Sequence, residues 1–399
     1  MAELGNAASG PRTSRKLDDR ELLDLRRTVA VRSKTIRALD DDPTYASDVP
    51  DEVSLQLTYK CNLRCLHCYQ WNDQGFFHEY SPARQRTELD IDIIRSVFEA
   101  TSVRQSKLFV WGGEPLMYSK FGEFASLLAA DPRPVTMCTN GLLMERHADD
   151  LLKIGKNLSL LVSLDGLKSH HEALRGPRTF DRTLRNVEFM LDLQRTGRFA
   201  GTVSFSCMVS NETVGQMYEF MEWAEDLGVD SVYFQFPWYI NPDVATEMDG
   251  LYREEFSWLN PPEPGKPATW HSYTYRLEEE AVPILKESMA KLAERRWNSR
   301  IRYQPQVGLD EVDDFVRGTS RPAQGRRRCL AVSNRMEVHA DGKVSSCKFF
   351  PEFVVGDLHE TDVLDLWHSE RFRRVRETLR GRGLMPVCSK CVLLYLNGV

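Results

Sequence analysis

Three cysteines separated by three and then two residues stand in the segment Thr58-Tyr59-Lys60-Cys61-Asn62-Leu63-Arg64-Cys65-Leu66-His67-Cys68-Tyr69. Thiolates converging from one short loop can hold three irons of a 4Fe-4S cluster, which leaves the fourth iron open to an external chelate. Two other readings fit the spacing: the buried face of a helix at i, i+4 and i+7, and zinc completed by a distant pair. Tyr59, Asn62 and His67 interrupt the apolar stripe that the helical reading needs. The chain has nine cysteines and no apolar leader in its first thirty residues, so its thiols read as ligands or reactive groups rather than as a disulfide framework. Cys329, Cys347, Cys388 and Cys391 form a second group, and Cys138 and Cys207 stand apart. Two metal centres are therefore expected.

With Tyr69 directly after the third cysteine, the front segment resembles the signature of the radical SAM superfamily. The likeness extends to Trp111-Gly112-Gly113-Glu114-Pro115, which is similar to that family's GGEP segment. There the backbone and the glutamate hold the methionyl ammonium of S-adenosylmethionine, and the chemistry agrees: Gly112 and Gly113 allow close backbone approach, and the Glu114 carboxylate complements a cation. A plain turn is the alternative. Thr139-Asn140-Gly141 and Ser163-Leu164-Asp165-Gly166 resemble strand ends of the peptide-modifying and twitch branches. The resemblance implies cofactor contacts at Tyr69, Asn140 and Ser163, with Asp165 on the same strand face as Ser163. A turn with Gly166 at positive φ is the other reading of Asp165. Arg175, in His171-Glu172-Ala173-Leu174-Arg175-Gly176, matches a recurring family segment and could pair with the methionyl carboxylate or remain a solvated surface charge.

The rear cysteines are similar to the truncated SPASM arrangement called a twitch domain. Asp341-Gly342 between apolar strands reads as a hairpin turn, which brings Cys329 and Cys347 together so that Cys388 and Cys391 complete four ligands. One auxiliary 4Fe-4S cluster follows, fully ligated by protein and suited to an electron relay; structural zinc is the competing reading.

Positioning these groups requires β-rich runs at Val53 to Leu57, Lys107 to Trp111, Val135 to Cys138, Leu158 to Leu164, Thr202 to Val209 and Ser231 to Phe236. Helical periodicity alternates with them at Leu89 to Ala100, Phe121 to Ala130, His147 to Ile154, Phe180 to Leu193 and Val214 to Leu227. The fold class is therefore α/β: a partial (β/α)6 TIM-like barrel over residues 51–240 with a small cysteine-rich twitch domain over 326–399. Residues 1–50 read as a partly flexible N-terminal extension with one amphipathic helix marked by Leu22, Leu23, Leu25 and Val29. In 241–325, prolines and aromatics read as a loop or lid across Asn241 to Trp270, followed by a helix over about Leu277 to Trp297.

Net charge is -6 with Lys and Arg spread along the chain, which argues against a nucleic-acid partner, and no stretch approaches the apolar length needed to cross a bilayer. A cytoplasmic location is expected. The resemblance implies an enzyme that cleaves S-adenosylmethionine reductively to a 5'-deoxyadenosyl radical and abstracts a substrate hydrogen atom, drawing on an external electron donor such as flavodoxin or ferredoxin. Oxidoreductase or epimerase chemistry on a small molecule of natural-product biosynthesis is the preferred expectation; maturation of a ribosomally made peptide and a zinc-stabilised binding protein are the alternatives. Cys138 and Cys207 are the spare thiols. Strand alternation gives Cys138 the facing of Asn140 and makes it the candidate hydrogen-atom donor.

Overall fold

A computed structural model describes residues 10–260, 265–318 and 325–399. Met1 to Ser9 of the extension, and Pro261, Pro262 and Pro264 of the proline-rich stretch, lie outside the described residues.

The strands are β1 (Arg12–Thr13), β2 (Glu52–Gln56), β3 (Lys107–Trp111), β4 (Val135–Thr139), β5 (Leu158–Ser163), β6 (Thr202–Met208), β7 (Ser231–Gln235), β8 (Arg296–Trp297), β9 (Arg300–Gln304), β10 (Arg335–Val338), β11 (Lys343–Ser345) and β12 (Val354–Asp357). Ten of them form one sheet in the order β12-β11-β10-β2-β3-β4-β5-β6-β7-β9. From β10 through β9 every neighbouring pair is parallel, as short strands joined by helical crossovers require. The six strands read from periodicity are β2 to β7, so the sequence expectation of a partial barrel is met and then extended. β9 adds to one edge. The rear cysteine segment contributes β10 to the other, so it is stitched into the sheet that carries the front cysteines.

Alternation along each strand explains the layers. Val53, Leu55, Leu108, Val110, Val135, Met137, Leu158, Leu160, Val203, Phe205, Val232 and Phe234 are buried in the main apolar core. Intervening positions are polar on most strands and point to the concave side: Glu52, Ser54 and Gln56 on β2; Thr136 and Cys138 on β4; Ser204 and Ser206 on β6; Arg335 and Glu337 on β10. The concave face is thus a polar lumen enclosed by an apolar shell.

Two expectations need correction. The extension holds a regular helix at Asp19–Asp41, yet Leu22, Leu23, Leu25 and Val29 face outward instead of forming its buried stripe. Polar anchors hold the helix: Arg27 donates to the Arg104 and Gln105 carbonyls, Arg32 to the Gly398 carbonyl, and Thr35 to Asn334. The supposed loop after Asn241 begins with a helix, Pro242–Leu251, because proline is tolerated at the first helical position and the Asn241 side chain caps Asp243 N–H at 2.9 Å. Tyr252 and Phe256 then pack on Phe353, so this stretch is a fixed wall against the rear segment.

Candidate active site between the two cysteine groups

The front cysteines lie on an irregular loop directly after β2, which removes the helical-face reading. The loop rests on a separate aromatic base of Tyr59, Trp71, Phe76 and Phe77. Trp71 donates its indole N–H to the Tyr59 carbonyl at 2.9 Å, and its backbone N–H to Cys68 Sγ at 3.3 Å. Burial raises all three thiols, with Cys65 pushed up to about 11, so loading a metal requires their deprotonation.

Gly112 and Gly113 serve this loop. Gly113 N–H donates to the Thr58 carbonyl at 2.8 Å and Glu114 N–H to the Lys60 carbonyl at 2.7 Å. A Cβ on Gly113 would lie 2.0 Å from the Lys60 oxygen, and Gly112 has φ 148°. The close approach that the glycines permit is therefore to the front cysteine loop. The Glu114 carboxylate, fully buried, accepts from Leu116 N–H, the Thr139 hydroxyl and Asn140 N–H at 3.1, 2.7 and 2.7 Å. Of about four acceptor sites on a carboxylate, one remains for a cation. Asn140 donates to Asn62 Oδ1 at 2.7 Å, tying the end of β4 to the residue after Cys61.

Asp165 sits at the end of β5 with no exposed surface and gathers three donors: Arg175 Nε at 2.6 Å, His67 Nε2 at 3.0 Å and Met208 N–H at 2.7 Å. Although burial alone would raise it, Arg175 and His67 hold its carboxyl far below the usual range. Arg175 is buried rather than solvated, and its Nη1 lies 3.6 Å from Cys65 Sγ. The arrangement fixes one positive charge beside the Cys65 thiol. Ser163 pairs with Ser206 across the lumen-facing strands, and Tyr69 stacks on Tyr273 at 4.4 Å and 15°.

At the rear, the Asp341-Gly342 turn joins antiparallel β10 and β11 as expected, with Gly342 at φ 77°. Cys329, Cys347, Cys388 and Cys391 line one cavity, together with Arg335, Glu337 and Lys348. Burial raises all four thiols, and repulsion from neighbouring thiols adds to it at Cys347, Cys388 and Cys391. Among the described residues, no three His, Cys, Asp or Glu side chains are gathered to hold a single metal ion. Four thiols around one cavity, and three on one loop, suit multi-iron clusters, whose sulfur ligands stand at separate corners. Tyr273 links the two groups: beyond Tyr69 it lies against Trp238 at 4.9 Å and donates its hydroxyl to the Phe349 carbonyl at 3.0 Å, two residues after Cys347.

Cys138 is on the lumen side of β4, in the electrostatic field of Lys348, Glu114 and Arg335; burial pushes it up to about 11, so it stays a thiol. Cys207 is buried in the apolar core. Reading the chain by motif alone passed over His67, Tyr273, Arg335, Glu337 and Lys348. Polar residues at every second position of β2 and β10 were the available signal.

A family model for the radical SAM superfamily matches residues 55–224, and one for an iron-sulfur cluster-binding domain, SPASM, matches residues 329–392. Together they cover more than half of the 399 residues. An AdoMet-dependent heme synthase from Methanosarcina barkeri is 24% identical over 347 residues, covering 86% of this chain and 89% of that protein. Mycofactocin maturase MftC from Mycobacterium tuberculosis is 29% identical over 182 residues, 45% of this chain and 43% of that protein. The crystal structure of Streptococcus suis SuiB bound to precursor peptide SuiA shares the fold with a TM-score of 0.56 at 15% identity, covering 92% of this chain and 74% of that one. The matched cluster-binding domain sets the zinc reading aside, and no described helix is long and apolar enough to cross a membrane. The chain belongs to the radical SAM superfamily and is an enzyme of its SPASM/twitch branch, using S-adenosylmethionine and iron-sulfur clusters.

Proposed function

We propose that this enzyme carries out oxidoreductase or epimerase chemistry on a small molecule held in the lumen, between a cluster on Cys61, Cys65 and Cys68 and an auxiliary cluster on Cys329, Cys347, Cys388 and Cys391. The observation that carries the reading is that the two groups hang from paired strands: the rear cysteine cavity is lined by Arg335 and Glu337 of β10, whose partner β2 leads into the front loop. The near full-length match to the heme synthase, against a partial match to the peptide maturase, favours a small molecule. A peptide substrate is the second reading, favoured by the partial likeness to that maturase and by the fold shared with SuiB in its complex with SuiA.

Bound to the front loop, the cluster and S-adenosylmethionine supply a one-electron cleavage that generates a hydrogen-abstracting 5'-deoxyadenosyl radical. The remaining Glu114 acceptor site and backbone around Gly112 and Gly113 bind the methionyl ammonium; Tyr69, Asn140 and Ser163 complete the cofactor contacts. Asp165 and Arg175 act as positioning residues, holding the loop through His67 and Cys65. Cys138, kept as a thiol in the lumen, is the group placed to return a hydrogen atom in an epimerisation.

Anaerobic reconstitution tests the ligand sets: about eight irons per chain are expected, falling to about four when either the front three or the rear four cysteines become alanine. Unchanged iron in both variants would reject them. Deuterium transfer from a labelled small molecule into 5'-deoxyadenosine tests the substrate class, and transfer only from a peptide would favour the second reading.

A further inference from the structure

The lumen floor between the cysteine groups collects buried polar atoms that the fold leaves unpaired. Register places Arg335 opposite Glu52, Glu337 opposite Ser54, Ser54 opposite Phe109 and Gln56 opposite Trp111, so these side chains share one face across β10, β2 and β3. On that face Ser54 Oγ, Gln56 Nε2, Trp111 Nε1, Arg335 Nη2, Glu337 Oε2 and His339 Nε2 are buried without a hydrogen-bond partner. A buried donor or acceptor left unpaired costs about 1–3 kcal/mol, and folded proteins seldom gather several. Lys348 reaches the same floor. Its Nζ makes no hydrogen bond among the described residues and lies 3.5 Å over the Phe109 ring and 4.8 Å over Trp111.

Four of these groups can only donate, Gln56 Nε2, Trp111 Nε1, Arg335 Nη2 and Lys348 Nζ; the Glu337 oxygen and His339 Nε2, on a ring whose Nδ1 donates to the Gln56 amide oxygen, accept, and the Ser54 hydroxyl can do either. Arg335 is ion-paired to both Glu337 and Glu52, the latter at 2.5 Å, whereas Lys348 has no carboxylate partner among the described residues. The Lys348 charge and at least three buried N–H donors are therefore unspent. A carboxylate supplies the missing negative charge and up to four acceptor sites in one plane. The aromatic faces of Phe109 and Trp111 would cover the carbon skeleton behind it.

We propose that the substrate is a small carboxylic acid whose carboxylate docks on Lys348, Arg335 and the Trp111 indole N–H. This deepens the small-molecule reading and rests on it. Arg335 and Lys348 also line the rear cysteine cavity and act electrostatically on Cys138, so an acid held by them would lie near both.

The test uses reconstituted full-length protein and ligand-observed NMR with two matched pairs, D-glucuronate against D-glucose and 4-hydroxybenzoate against 4-hydroxybenzamide. At least one acid should bind tenfold or more tighter than its neutral partner. That preference should fall to about one in Lys348→Met, return in Lys348→Arg, and weaken several-fold in Trp111→Phe, with iron content held at the wild-type level throughout. Equal binding of acids and neutral partners, no binding of either acid at millimolar concentration, or a Lys348→Met protein that keeps the preference would overturn the proposal. So would loss of iron in Lys348→Met, which would assign that cation to the rear cysteines. Formation of 5'-deoxyadenosine by wild type without substrate is scored separately: its absence rejects the radical reading, while acid recognition remains readable from the NMR comparison.

Discussion

Replacing Asp165 by Asn removes the charge that ties Arg175 to His67 of the front cysteine loop. The amide oxygen can still accept from Met208 N–H, now at 2.7 Å, but it presents an N–H to Arg175 Nε, which today donates to the carboxylate at 2.6 Å. Arg175 is then a buried cation without its partner. Breaking a buried pair from one side costs about 3–5 kcal/mol. For 399 residues unfolding together, an entropy of about 2 cal/mol/K per residue turns that cost into a fall of roughly 4–6 °C in Tm. The assay is calorimetry on the metal-free protein, with iron content after reconstitution as the second readout; both should fall. Arg175→Met in the same background supplies the control, because removing both charges should cost at least about 2 kcal/mol less than the sum of the single changes. A loss under about 1 kcal/mol for Asp165→Asn, or strict additivity in the cycle, would refute the assignment of Asp165 as the anchor of Arg175.

Three further outcomes are expected. Gly113→Ala drives a Cβ into the Lys60 carbonyl and separates two backbone hydrogen bonds, costing about 2–5 kcal/mol, and iron retention should drop with it; wild-type iron content would show that the loop does not depend on that contact. His171 accepts from Asp165 N–H, and burial, reinforced by Arg175, lowers it to about 4 against 6.5 in the unfolded chain. Its neutral form therefore stabilises the fold above pH 6.5, and about 2 kcal/mol of that is lost between pH 7 and 5, a loss that urea titrations should find reduced in His171→Gln. Cys138→Ala should abolish solvent deuterium incorporation into product if the enzyme epimerises, while leaving 5'-deoxyadenosine formation within about twofold; unchanged incorporation would remove Cys138 from the chemistry.

The six central strands were legible because each alternates an apolar set toward helices with a polar set toward the lumen, a period that survives without any tertiary knowledge. The two cysteine groups were legible because thiols are scarce and their spacing is chemically restrictive. What escaped was long-range. That β10 pairs with β2, so that Arg335 and Glu337 enter the barrel beside Glu52 and Ser54, depends on a contact across more than 270 residues that no local pattern encodes. Asp165 read as a cofactor-facing strand end, and its contacts with Arg175, His67 and Met208 N–H, which tie it to the front loop and to β6, had no local signal. The Leu22 to Val29 stripe misled because an apolar helical face says nothing of whether a partner surface exists within the same chain. The proline-rich stretch misled for a different reason: proline breaks helix interiors but starts helices well, and Asn241-Pro242 is a start.

The most direct measurement is the product analysis of anaerobically reconstituted, chemically reduced protein given S-adenosylmethionine alone. Wild type should release methionine and 5'-deoxyadenosine in equal amounts, and the variant with alanine at Cys61, Cys65 and Cys68 should release neither. Equal turnover by that variant, or no cleavage by fully loaded wild type, would contradict a cluster held by these three thiols as the source of the chemistry.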